Sequence, residues 1–108
     1  MPLYMTQFSY TAEAWAALAK KPENRTEAVA KLAQQFGGRL VAAYFSFGEY
    51  DGFIIVESPD EVSATAALIA AISAGHLKAT KTTVLLTPEQ AVEAMRKAGG
   101  VAYRAPGS

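Results

Sequence analysis

The sequence predicts an α+β fold: a four-stranded antiparallel sheet with helices packed on it and one more helix at the C-terminal end. Three observations carry this expectation. Aromatic and β-branched runs recur at residues 3–10, 39–47, 53–57 and 77–86, which is how strands read. Alanine-rich stretches with apolar residues at helical spacing separate and follow them. Serine, threonine and proline stand where those helices begin, and glycines stand where they end.

Residues 3–10 (LYMTQFSY) alternate in character and form the first strand. Thr11 caps the helix that follows, with Glu13 in its first turn. That helix carries Trp15 and Leu18 and is interrupted at Lys20–Lys21–Pro22. Pro22 opens a second helical stretch as its first residue, because proline's missing N–H costs nothing there. Val29, Leu32, Ala33 and Phe36 make its stripe, and Gly37–Gly38 stops it. Residues 39–47 and 53–57 are the next strands, joined by a short connection with two glycines, so they pair as an antiparallel hairpin. The turn centres on Gly48–Glu49 or on Asp51–Gly52; pattern alone leaves both open.

At Ser58–Pro59–Asp60–Glu61, serine and a glutamate three residues on form a capping box, and Val62, Ala66, Ile69 and Ile72 of the ensuing helix face inward. Gly75 ends it, and residues 77–86 (LKATKTTVLL) are the fourth strand. Thr87–Pro88–Glu89–Gln90 repeats the capping logic for a last helix with Val92 and Met95 inward, closed by Gly99–Gly100. The order βαββαβ is the ferredoxin-like plan, with right-handed crossovers. A single domain over residues 1–100 and a loose tail over 101–108 follow.

Composition excludes several function classes. The chain is 51% apolar and 19% charged, which suits a buried core. Ten basic residues balance ten acidic ones, so no charge-driven grip on nucleic acid is expected. Residues 51–58 (DGFIIVES) superficially resemble an RNA-recognition strand, but Asp51 stands where a basic residue is required, and Ile55 and Ser58 replace stacking aromatics. Cysteine is absent and His76 is the one histidine, so a multi-histidine metal site cannot form within one chain; no metal and no cofactor are expected, with haem ligation by His76 the alternative. The chain start has no secretory pattern and no apolar run approaches the roughly 20 residues of a membrane span, so the expectation is a cytoplasmic protein without membrane contact.

Both faces of the sheet read as apolar. Tyr4, Phe8 and Tyr10 oppose Leu3 and Met5; Leu40, Ala42 and Tyr44 oppose Val41, Ala43, Phe45 and Phe47; Phe53 and Ile55 oppose Ile54 and Val56. Either the last helix folds under the sheet, or a second copy covers the open face. The last helix is short and poor in large apolar residues, so a homo-oligomer, at least a dimer, is expected.

The stretch Phe47–Gly48–Glu49–Tyr50–Asp51, leading into Ile54–Ile55–Val56–Glu57–Ser58–Pro59, resembles the GYD-domain family. Pro22 and Arg25, before a helix ending in Gly37–Gly38, resemble the first half of that family. The resemblance implies small α+β proteins that associate into dimeric barrels, and no general biochemical function. The family's arginine–threonine run after the helix-ending glycine is replaced here by Lys78 and Lys81.

Candidate chemistry is sparse. Asp51 is a base or ligand anchor and Tyr50 a donor at a pocket mouth; alternatively Gly48 supplies a positive φ, Asp51 accepts backbone hydrogen bonds and Tyr50 packs. His76 titrates near neutrality and is a catalytic candidate or a cap on helix carbonyls. Arg25 is the candidate anion receptor, with Lys78 and Lys81 as solvated charge. Tyr10, Trp15, Tyr44 and Phe45 either line an apolar pocket or form core, with Tyr10, Trp15, Tyr50 and Arg25 the expected ligand contacts. The leading expectation is a binder of a small apolar or anionic ligand. A cofactor-independent enzyme of isomerase, lyase or oxygenase type, or an interaction module without a pocket, are the alternatives. A pocket of roughly 300 Å³ or more that contains Asp51 or His76 separates the first two from the third.

Overall fold

Strand β1 (Leu3–Tyr10) runs through the middle of the sheet, with another strand paired along each of its edges. The sheet order is β2-β3-β1-β4, with β2 (Arg39–Phe45), β3 (Gly52–Glu57) and β4 (Leu77–Leu85) all antiparallel to their neighbours. This is the ferredoxin-like order. Helices α1 (Ala12–Lys20) and α2 (Thr26–Gln35) connect β1 to β2, α3 (Glu61–Ser73) connects β3 to β4, and α4 (Pro88–Gly99) follows. The structure, a computed structural model, describes residues 1–107; of the expected tail 101–108, Ser108 lies outside the described residues.

Caps decide most helix starts. Thr11 accepts from the Ala14 N–H at 3.1 Å, as its sequence position predicts. Thr87 and Gln90 make the full reciprocal box, with Pro88 in the first turn. Two starts differ from expectation. Pro22 opens no helix: α2 begins at Thr26, whose N–H is held by the Asn24 side chain at 2.9 Å. The cap of α3 is Asp60, not Ser58, because the Asp60 carboxylate takes the Ser63 N–H at 2.8 Å while the Ser58 hydroxyl turns to the Asp60 carbonyl.

Strand β2 ends at Phe45, two residues short of expectation. Phe47 adopts φ 52, and the Ser46 and Phe47 N–H groups both donate to the Asp51 carbonyl, which turns the chain. A bulge between Leu40 and Ala42 also shifts β2. Leu40 pairs with Val56 and therefore shares a face with Ala43 and Phe45, not with Ala42 and Tyr44.

Helices α2 and α3 lie over the face bearing Thr6, Phe8, Tyr10, Ala43, Phe45, Ile54 and Val56. The opposite face carries Leu3, Met5, Ile55, Phe53 and Tyr44, the last two with ring centroids 5.7 Å apart. Helix α4 does not cover it: Val92 and Met95, expected inward, are exposed. Helix α3 is also turned over. Its small residues Ala64, Ala67 and Ala71 with Leu68 face the sheet, while Val62, Ile69 and Ile72 point outward. The radius of gyration is 17.5 Å, against roughly 13 Å for a compact chain of this length, because the long axis extends to 59 Å.

Candidate functional site

Aromatic residues two apart on a strand share a face, so Phe8 and Tyr10 of β1 come together, with Phe45 of β2 beside them. Trp15 of α1 meets Tyr10 edge-on with centroids 5.1 Å apart, and Phe47 meets both Trp15 and Phe45. Asp51 ties this cluster to the backbone. Its Oδ2 accepts from the Tyr10 N–H and from Trp15 Nε1, each at 2.9 Å. Its own N–H donates to the Phe8 carbonyl at 2.8 Å. The hairpin motif is thus a clamp between the β2–β3 turn, β1 and α1.

Beyond the cluster, Tyr10, Arg25 and His76 converge. The Tyr10 and His76 rings are 5.8 Å apart. Tyr10 is only 8% exposed. Burial raises its phenol pKa, opposed by the charge and hydrogen bond of Arg25, so the phenol keeps its proton at neutral pH. His76 is held below its ordinary value, first by burial and then by the Arg25 charge, and is therefore a neutral imidazole at neutral pH. Arg25 stands just before the first residue of α2; its side chain is 35% exposed and meets Glu23 at 3.4 Å. The three side chains offer one cation, one hydroxyl donor and one neutral imidazole.

Two recesses share these three residues. An apolar cavity of about 150 Å³ lies between the sheet and helices α2 and α3, with Leu32, Ile54 and Leu68 among its walls. A wider cleft of about 480 Å³ opens against Ala14, Ala17 and Leu18 of α1, with Lys21 and Glu23 at its rim. His76 is therefore in a recess larger than the expected threshold. Asp51, Trp15 and Tyr50 line neither recess, and Lys81 pairs with Gln7 on the opposite face of the sheet. The Tyr50 carbonyl accepts from the Gly48 N–H at 3.0 Å and from the Ser46 hydroxyl, a turn role. Gly48 is not the residue with positive φ; Phe47 is.

Sequence reasoning missed Phe8 and Phe47 as members of the aromatic cluster, although the 8/10 and 45/47 spacings signal it. It also missed the α3 wall, because helical spacing alone favoured the larger stripe. Among the described residues, no group of three or more His, Asp or Glu side chains is placed to hold a metal. No helix among them is long and apolar enough to cross a membrane.

The order of elements, the sheet and the Gly48–Tyr50–Asp51 turn agree with a family model, described as the GYD domain, that matches residues 4–95. The chain belongs to the GYD-domain family. This GYD protein is 32% identical over 78 residues to a Thermus thermophilus glutamine synthetase and cystathionine beta-lyase binding protein, covering 72% of this chain and 82% of the relative. The crystal structure of MtbAldR is similar with a TM-score of 0.57 at 14% identity, over 80% of this chain and 52% of that one. The GYD chain thus spans about half the length of MtbAldR. A hypothetical protein from Pyrococcus horikoshii gives a TM-score of 0.51 at 16% identity, over 81% and 92% of the two chains. At these identities the two structures speak for the shared fold alone.

The neutral state of His76 has a consequence for stability. A histidine whose folded pKa lies below its unfolded value takes up its proton more readily when the chain unfolds. Its contribution is complete above the ordinary value of 6.5 and is lost as pH falls from there through the folded pKa. Urea midpoints measured from about pH 7.5 down to about pH 5 should fall, and His76→Gln should flatten the profile. An unchanged slope in that variant would assign the dependence elsewhere.

Proposed function

We propose that this GYD protein binds a small molecule with an apolar body and an anionic head, and does so as a homo-oligomer. The observation that supports this most is that Tyr10, Arg25 and His76 line both recesses. An apolar ring or short chain enters the cavity of about 150 Å³, a volume that accepts a benzene-sized group. The head then meets the Arg25 guanidinium and the Tyr10 hydroxyl, while neutral His76 donates or accepts one further hydrogen bond. The apolar outer face with Leu3, Met5, Ile55 and Phe53 supports the oligomer, because a second sheet removes that face from water.

Calorimetric titration with 3-phenylpropionate and its neutral amide tests the reading. The acid should bind about tenfold or more tightly than the amide, since a charge-assisted hydrogen bond contributes about 1.5–3 kcal/mol. Arg25→Gln should erase that difference while leaving the weaker amide binding in place. Equal affinities for acid and amide in the native protein would refute an anionic subsite at Arg25.

A second reading has one specific observation behind it. The Thermus thermophilus relative is named for binding two enzymes, and residues Phe45 and Phe47 are 52% and 67% exposed here. On this reading the aromatic end docks a partner protein. Phe47→Ser would then abolish capture of purified glutamine synthetase and leave 3-phenylpropionate binding unchanged.

A further inference from the structure

Among the described residues, two apolar surfaces have no partner within the chain. The first is the outward side of α3. Apart from Glu61 at its start the helix has no charged residue, and Val62, Ile69 and Ile72 stand 78%, 57% and 44% exposed. A helix apolar on every side is normally covered on every side. The second is α4, where Ala91, Val92, Met95 and Ala98 make one stripe, Glu89 and Arg96 flank it beside Val92, and Glu93 and Lys97 lie on the far side. Val92 and Met95 are 41% and 66% exposed, as is Leu86 just before the helix at 60%.

The arm does not turn back on its own body. Only Leu86 and Thr87 separate β4 from α4, and the capping box with Pro88 sets the helix direction at that point. The result is the 59 Å long axis. Charge then selects what covers it. The negative groups of α3 are Asp60 and Glu61 at its N-terminal end, while Lys78 follows its C-terminal end. Helix α4 is polarised as well, with Glu89 in its first turn and Arg96 and Lys97 in its last. Laid antiparallel, α4 brings the flanking Arg96 to the end of α3 that holds Asp60 and Glu61, and Glu89 towards Lys78. Laid parallel, it would place like charges together. The antiparallel arrangement also opposes the helix dipoles.

We propose that α4 is an exchanged arm, docked antiparallel on the outward stripe of α3 in a second copy of this chain. Met95 lies against the second copy's Val62, and Val92 and Leu86 lie towards its Ile69 and Ile72. Both unpartnered faces belong to one chain and are complementary, so a two-fold contact covers both twice. This surface is separate from the recesses at Arg25 and from the open face of the sheet.

The absence of native cysteine makes the test direct. Chains with Val62→Cys and chains with Met95→Cys are mixed in equal amounts and oxidised mildly; both positions are exposed, so the core is untouched. The disulfide joining the two kinds of chain should dominate over either homodisulfide, and Arg96→Glu with Lys97→Glu added to the second chain should reduce its yield several-fold. A doubly substituted chain, Val62→Cys with Met95→Cys, should crosslink between chains. An internal disulfide at monomer mass, dominance of a homodisulfide, or no crosslink beside an intact dimer mass would each overturn the proposal.

Discussion

Asp51→Ala should lower stability by about 2–4 kcal/mol and Tm by roughly 10 °C or more. The single oxygen Oδ2 satisfies two donors, the Tyr10 N–H in the central strand and Trp15 Nε1 in α1. Both lie in part-buried surroundings, where a donor left without an acceptor costs about 1–3 kcal/mol. Asp51→Asn keeps a carbonyl oxygen and should lose only about 1 kcal/mol, the part due to the charge. Urea unfolding of both variants, alongside 3-phenylpropionate titration, checks the claim. An Asn variant with native stability but no ligand binding would return Asp51 to the ligand site and remove it from the clamp.

Gly52→Ala should destabilise by about 1–3 kcal/mol, the usual cost of forcing atoms into a closed space. A Cβ at Gly52 would stand 2.6 Å from the Tyr44 carbonyl oxygen and 2.9 Å from the Phe8 ring. The first neighbour is backbone of the paired strand and has nowhere to go. Gly48 is the internal control. A Cβ there meets nothing within 4 Å, so Gly48→Ala should stay within about 0.5 kcal/mol of the parent. Thermal unfolding of the pair decides it. If Gly48→Ala is the damaging change, the close packing of β3 on β2 and Phe8 is not what the hairpin requires.

The contrast between these glycines shows where sequence reading stops. Both occur in the same five-residue connection, and a turn explains either. Only the register, with Phe45 opposite Gly52, decides which one has a neighbour in the way. The same holds for the site. Arg25, His76 and Tyr10 are legible as chemistry, since few other groups in the chain ionise or donate in an apolar setting. That they meet depends on the start of α2, the start of β4 and the end of β1 lying at one end of the sheet. Asp51 is legible as a turn acceptor, yet its grip on Trp15 spans 36 residues and has no local signal.

The order of strands and helices, two of the caps and the exclusion of cysteine and multi-histidine chemistry are legible in the residues alone. These follow from local propensity, period and composition, which a chain carries wherever it folds. The tertiary structure alone decided which side of α3 faces in, that the Val41 bulge moves Leu40 to the other face, and that α4 stands clear of the body. Each of these is a contest between surfaces far apart in sequence, which no local propensity or period can resolve. The half of the chain that is apolar was visible from the start; which part of it the chain buries was not.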